Sequence, residues 1–372
     1  MLKGAVYSSD GRDLKVSVER NEVLLKSDQV LNFPRIIELD ADRLVLAYGS
    51  GRHGGAETRP VAVSDDFGRT WTDAPADFPM VDNVQTSGIL GYMADGTIAY
   101  IDVMPVNADW SQAQGPYHQV AKVENPIFRL RRFSRKGELL ADGTFKVNGI
   151  PWGKASYELY GTLLELENGD LLTAFECEVA TPPGSDFAAS TFIVRSNNGG
   201  ESFEYVSTLG AEANGGHVGE VGFCEPDLEV LANGDILCMM RTGSDTPMYQ
   251  SRSTDAGRTW SKPVCIGWPG VKPHLRLLSN GVLACSAGRG IYGHPQVTYA
   301  MFSIDGTGEE WEYPLSFHTG PGCSYTSNLE RDGKLYVVYS HSSFTEPSGT
   351  YELPYHAIKW AVLDLVLSGG PT

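Results

Sequence analysis

The sequence predicts an all-β chain, a six-bladed β-propeller of four-stranded antiparallel blades, and two interleaved repeats predict it. The first is a turn motif. Ser64-Asp65-Asp66-Phe67-Gly68-Arg69-Thr70-Trp71 returns as Ser253-Thr254-Asp255-Ala256-Gly257-Arg258-Thr259-Trp260, in the pattern S-x-D-x-G-x-T-W. Ser196-Asn197-Asn198-Gly199-Gly200-Glu201-Ser202-Phe203 is a looser copy, and the stretch from Ser303 to Trp311 a more degraded one. Each residue has a turn-building task. The Asp or Asn side chain accepts from backbone N–H groups just ahead of it. The Gly takes a backbone conformation with φ > 0. The Trp or Phe anchors the hairpin in apolar packing.

The second repeat is an apolar run, a tight turn and another apolar run. It spans Ile36 to Tyr48, Gly88 to Tyr100, Leu163 to Phe175, Leu228 to Met240, Leu275 to Ser286 and Asn328 to Tyr339. The last five carry Asp-Gly or Asn-Gly at the turn, and Arg43 stands in that place in the first. Such dipeptides between apolar runs are the strongest short-range hairpin signal. Six copies imply six blades in a single domain over 1–372. The turn motifs then close the third-to-fourth-strand hairpins of blades one, three, four and five. An N-terminal strand near Val16 to Leu25 completes the last blade. A long amphipathic helix is not expected. The stretch around 103–154 reads as an insertion. It holds Trp110, Tyr117 and His118, and it lies either on the surface or over the mouth of the funnel as a source of sugar contacts.

Bulk properties narrow the partners. A formal charge of −17 argues against nucleic acid, which demands a basic face, and against docking on an anionic membrane. It leaves room for a small anionic substrate held by a few clustered arginines. No stretch approaches the roughly 18–20 apolar residues of a membrane span. The N-terminus lacks the apolar run of a signal peptide. Cys177, Cys224, Cys238, Cys265, Cys285 and Cys323 are scattered with no CxxC pair, which suggests buried thiols in a reducing compartment and a cytoplasmic protein. No metal-ligand cluster, phosphate-cradling glycine loop or Ser-His-Asp signature stands out, so no bound cofactor or metal is expected. The sequence sets no oligomeric state.

Polar residues at the ends of the innermost strands are where chemistry would sit. Read by repeat, the strand starts carry Arg35, Ser87, Tyr160, Glu225, His274 and Tyr325. The far ends of the partner strands carry Tyr48 to Arg52, Asp102, Glu176, Arg241, Arg289 and Tyr339 to His341. Arg35, Arg241 and Arg289 fall on different blades at matching positions. Three guanidiniums together would bind a carboxylate, since each offers a planar fork of donors. The plainer alternative pairs each arginine with a neighbouring acid at the rim.

From Phe33 to Tyr339 the chain resembles the sialidase (neuraminidase) superfamily. The turn motifs are similar to the family's Asp boxes, the BNR repeats, and six blades is its fold. Phe33-Pro34-Arg35-Ile36-Ile37 resembles the Phe/Tyr-Arg-Ile-Pro motif, with Pro before the Arg here instead of after the Ile. Cys224-Glu225-Pro226-Asp227 followed by Met240-Arg241 resembles the segment from a catalytic Glu to the second arginine. Ala287-Gly288-Arg289 resembles the site of the third, and Ser324-Tyr325-Thr326-Ser327 the segment holding a nucleophilic tyrosine. The resemblance implies an exo-acting glycoside hydrolase that releases sialic acid or a related acidic sugar. Tyr325 would be nucleophile, Glu225 its base, and Arg35, Arg241 and Arg289 the carboxylate clamp. A tyrosine is a poor nucleophile near its ordinary pKa of about 10, and a glutamate base removes that problem. The family's acid/base Asp is absent: between Arg52 and Asp65 the nearest substitutes are Glu57 and His53. Arg52 and His274 join the substrate-binding candidates. Two other readings stay open at this point: an acidic-polysaccharide lyase using Tyr and His, with His274, His294 and His341 near strand ends, and a non-catalytic carbohydrate-binding propeller.

Overall fold

The computed structural model describes residues 4–9, 11–40, 42–52, 55–58, 60–108, 122–179, 189–210, 218–219, 221–289, 297–322, 325–342 and 353–369. Among them every regular element is a strand, and no helix is long and apolar enough to cross a membrane. The chain divides into two compact units. Unit one is Met1–Ala76, Leu231–Asn233 and Pro269–Thr372; unit two is Asp77–Val230 and Gly234–Trp268.

Unit one holds three sheets. The first has strands Leu31–Glu38, Leu44–Arg52, Val61–Ser64 and Thr72–Asp73 in that order, with Gly55–Thr58 also paired to Leu44–Arg52. The second runs Val271–Leu277, Leu283–Gly288, Val297–Ser303, Leu315–Thr319. The third runs Thr326–Arg331, Lys334–His341, His356–Gly369, Arg12–Ser27 and Gly4–Ser9. The Val16 to Leu25 stretch thus pairs antiparallel with the C-terminal strand, from Arg12↔Gly369 to Ser27↔His356. Alternating apolar residues of these strands close two cores. One gathers Leu14, Val16, Ala284, Phe302, Leu335, Val337 and Leu363. The other gathers Ile36, Leu46, Ala62, Tyr336, Ile358 and Trp360.

Unit two carries a four-stranded sheet, Cys224–Val230, Ile236–Arg241, Pro247–Ser253 and Val264–Pro269, and a nine-stranded one. The larger sheet is two antiparallel groups. Ile89–Tyr92, Ile98–Ile101, Ile127–Phe133 and Leu139–Asn148 form one; Ala155–Glu158 and Leu164–Glu165, then Leu171–Val179, Ser190–Ser196 and Phe203–Leu209 form the other. A short parallel pairing, Val147↔Phe203 and Asn148↔Glu204, joins them. The stretch 103–154 is therefore not all insertion, because two of its segments are ladder strands. Trp110, Tyr117 and His118 lie outside the described residues. An aromatic core of Phe128, Phe145, Tyr157, Phe175, Phe192 and Phe203 fills this part.

The turn motifs sit where the repeat places them, between third and fourth strands. In the first, Ser64 Oγ accepts the Gly68 N–H at 2.8 Å and donates to Asp66. Asp66 accepts the N–H and hydroxyl of Thr70 at 2.8 and 2.7 Å, and Trp71 Nε1 donates to the Gly68 carbonyl at 3.1 Å. Ser253, Asp255, Thr259 and Trp260 repeat this network. The Thr70 and Thr259 bonds, joined by backbone donors, hold the Asp66 and Asp255 carboxyls down at about 2. In the degraded copy the Ser303 hydroxyl meets Gly308, one residue further on. The second repeat's turn glycines Gly96, Gly169, Gly234, Gly281 and Gly333 all have φ between 71 and 85°, and open space surrounds them, so backbone conformation alone selects glycine there.

Candidate functional site

Three first strands open with one local device. Each has an X-Pro-polar tripeptide: Phe33-Pro34-Arg35, Glu225-Pro226-Asp227 and Lys272-Pro273-His274. In each, the ladder shifts register across the tripeptide, between Asn32 and Arg35, Cys224 and Asp227, Val271 and His274. The residue before each proline is left-handed, with φ of 48° at Phe33, 45° at Glu225 and 40° at Lys272. A bulge of this kind inserts an extra residue, bends the strand and re-aims a side chain, and it concentrates beside active sites. Proline suits the bulge because it has no N–H to leave unpaired in the ladder.

The bulges revise the alignment read from sequence. Arg35, Asp227 and His274 face Ala47, Met239 and Ser286 and are the true equivalents. Glu225 matches Phe33 and Lys272 instead. Arg241 faces Cys224, and the equivalent position opposite Val271 is Gly288, so Arg289 lies one residue beyond Arg241's place. Arg289 is itself left-handed at φ 76°, with its N–H bound to the Val297 carbonyl at 2.8 Å. A one-residue offset in a strand sends a side chain to the other face.

In unit one the structure brings Arg35, Lys272, His274 and Tyr325 together. Arg35 and Lys272 are both buried, each 5% exposed. Lys272 Nζ lies 3.4 Å from the Thr326 carbonyl, and the ring of the adjoining Tyr325 meets Phe33 edge-on at 4.7 Å. His274 Nδ1 accepts the Asn328 N–H at 2.9 Å, while Asn328 Nδ2 donates to the His274 carbonyl at 2.7 Å. Burial first, then the charges of Lys272, Arg35 and Arg276, push the His274 imidazole well below its ordinary range. It is a neutral ring set among cations. Thr326, the next residue along, is fully buried and bonded to Ser286 at 2.7 Å. Tyr325 keeps 9% exposure.

Unit two holds a group of glutamates that the sequence reading only partly found. Glu225 Oε1 binds Arg241 Nη1 at 2.7 Å, and Arg241 Nε donates to the Gly243 carbonyl at 3.1 Å. The Glu225 N–H donates to Glu176 at 2.9 Å, which pins the left-handed bulge. Glu158 and Ser156 face Glu176 and Glu178 across the ladder. Tyr160 donates its hydroxyl proton to Glu158, and Ser156 donates to Glu178 at 3.1 Å. Burial raises all three of these carboxyls: Glu176 well above the usual range with help from Glu158 and Glu225, Glu158 likewise upward, and Glu178 to about 8. Glu178 therefore holds its proton near neutral pH. Arg241 is tied to Glu225, and Asp102 to Arg131 at 2.5 Å.

Glu57 lies on the short strand Gly55–Thr58 and Arg52 ends Leu44–Arg52, but both side chains fall outside the described residues, as do His53 and His294. No group of three or more His, Cys, Asp or Glu that could hold a metal ion occurs among the described residues. Glu158, Glu178 and Lys272 are what the sequence reading missed. The X-Pro signal at matching strand starts could have found Lys272.

The profile of the BNR repeat-like domain family matches residues 133–337, more than half of the chain. The chain belongs to the BNR repeat-like domain family. Comparison with curated proteins finds no match. Among solved structures, this BNR protein is similar to a Dyadobacter fermentans protein of unknown function, with TM-score 0.71, 18% identity, and 94% of this chain and 99% of that one covered. It is also similar to the Trypanosoma rangeli sialidase in complex with the inhibitor DANA, with TM-score 0.55, 13% identity, and 90% and 55% covered. A Hadza microbial sialidase gives 0.55, 14%, 90% and 65%. The BNR chain thus spans 55% to 65% of these two sialidases' length. At such identities the likeness establishes the fold, a sialidase-like β-propeller.

Proposed function

We propose that this BNR protein is an exo-acting glycoside hydrolase that releases sialic acid or a related acidic sugar. The observation that carries the reading is the cationic group of unit one, where Arg35 and Lys272 are buried beside Tyr325 and His274 is held neutral. Buried cations gathered at one place suit an anionic ligand. A neutral phenol approaches an anionic sugar without the repulsion a carboxylate nucleophile would meet, and sialidases are the tyrosine exception among glycosidases. In this reading Tyr325 attacks the anomeric carbon and Arg35 and Arg289 bind the carboxylate. In unit two, Arg241 serves the substrate and Glu225 proton transfer. Glu57 supplies the acid, and Arg52 and His274 further substrate contacts. The matching fold reading is six blades, three from the sheets of unit one and three from unit two, with the nine-stranded sheet counted as two.

A panel of aryl glycosides of sialic acid, other nonulosonic acids and Kdo tests the activity. The expected result is turnover of at least one member, reduced on the order of 10³-fold or more in Tyr325→Phe, as for loss of a covalent nucleophile. Absence of turnover across the panel by folded protein would refute the reading. Binding without turnover would favour a carbohydrate-binding propeller.

A further inference from the structure

Unit one holds a cleft of about 510 Å³, a volume that suits a ligand of sugar size. Phe67, Tyr336 and Trp360 line it together with Arg20, Arg69 and Arg331. It lies at the opposite end of the strands that carry the proposed reaction centre. The six-residue strand Thr326–Arg331 starts beside Tyr325 and ends at the cleft, roughly 20 Å away at about 3.3 Å per residue. We propose that this cleft binds an anionic, sugar-sized ligand through Arg20, Arg69 and the Tyr336 hydroxyl. The site is separate from the reaction centre, and it goes beyond the hydrolase reading.

The acids at the cleft are already engaged. Asp42 accepts from Arg331 at 2.8 Å, and Glu22 accepts the Trp360 indole N–H at 3.0 Å. Arg331 also lies over the Phe67 ring at 4.0 Å. What remains is donors. Tyr336 is only 6% exposed, and Phe67 fixes its ring edge-on at 5.2 Å. Yet its hydroxyl has no hydrogen-bond partner among the described residues. A buried phenol seldom goes without one. The Arg69 guanidinium also has no partner among the described residues, and Arg20 reaches Glu22 only at 3.4 Å. Donors without acceptors select a ligand rich in acceptor oxygens, and two guanidiniums select an anionic one.

The two full turn motifs differ at this place. Both carry arginine after the glycine. In the second copy Arg258 Nη1 folds back on the Asp255 carbonyl at 3.0 Å, whereas Arg69 makes no such bond and lines the cleft. Before the glycine the second copy has Ala256 at φ 58°, and the first has Phe67 at φ 53°. The turn is therefore satisfied by alanine. A bulky aromatic in the left-handed region is strained, and such strain gathers at ligand sites.

The test is calorimetric titration of the full chain with glucuronate, glucose 6-phosphate, glucose 6-sulfate and neutral glucose. At least one charged probe should bind, about tenfold or more tighter than glucose, and its identity tells carboxylate from phosphate from sulfate. Replacing Arg20 and Arg69 together by alanine should weaken that probe roughly 10–100-fold, and Tyr336→Phe roughly 2–10-fold. Tyr325→Phe should leave its affinity unchanged. If no charged probe binds, or glucose binds as well, or the double arginine variant binds like wild type, the proposal falls and the hydrolase reading is untouched. Loss of binding in Tyr325→Phe alone would place the ligand at the reaction centre and overturn the proposal as well. Arg20 and Arg69 are exposed, so their replacement spares the core, and that variant decides should Tyr336→Phe fail to fold.

Discussion

Glu178 is a carboxylic acid kept from water on a buried strand, with Glu158 nearby and Ser156 as its hydrogen-bond donor. Its folded pKa, about 8, exceeds the ordinary 4.5. A carboxyl raised on folding favours the folded state fully below its unfolded pKa, and that contribution is lost as pH climbs through the folded value. Stability is therefore expected to decline between about pH 4.5 and 8. Glu178→Gln, which keeps the shape and removes the proton, should gain on the order of 1–3 kcal/mol at pH 8 relative to wild type and almost nothing at pH 5. Thermal melts at the two pH values check this, and an equal effect at both would count against the buried-acid account. At this scale the sequence was partly legible. Arg35 and Tyr325 could be placed because their neighbours repeat. Glu158 and Glu178 could not, since an alternating pattern such as Glu176-Cys177-Glu178 reads as a solvated face until the ladder shows Glu178 facing the strand Ala155–Glu158.

At the scale of elements, the turn motif and the strand-start bulge do different work. The turn motif is self-contained: hydroxyl, carboxylate and indole satisfy the turn's own backbone. Its glycine is also a contact surface. A Cβ on Gly68 would come within 2.4 Å of the Trp360 ring, at a φ of 76°. Gly68→Ala is expected to destabilise unit one by about 2–4 kcal/mol through strain and overpacking, whereas Gly96→Ala, in open space, should cost only about 1 kcal/mol. Chemical denaturation of the two variants distinguishes them, and equal losses would show that packing on Trp360 contributes nothing. The motif was fully legible because every member is a short-range signal. The bulge was not. Pro34 looked like a departure from a family motif until Pro226 and Pro273 appeared at the same ladder shift. The strand Leu139–Asn148 was hidden for a related reason. Its Asp142-Gly143 reads as a turn, yet Asp142 lies mid-strand and binds Arg129 across the ladder at 2.6 Å.

At the scale of the whole chain, the architecture was the most legible feature, because a repeat states its own period. The same periodicity positioned the first strands and so named residues worth testing. What periodicity could not give was facing. A bulge of one extra residue changes which side chain a strand start presents, and it moved Glu225 from the company of Arg35 to that of Lys272. Tyr325, the proposed nucleophile, packs on one bulge residue while its neighbour Thr326 receives another. The most direct test is covalent labelling. A 2,3-difluoro analogue of whichever panel sugar is turned over should leave a glycosyl adduct on the tryptic peptide containing Tyr325, seen by mass spectrometry and absent in Tyr325→Phe. Turnover with an adduct on another residue, or with no adduct at all, would contradict Tyr325 as the nucleophile and with it the account of this site.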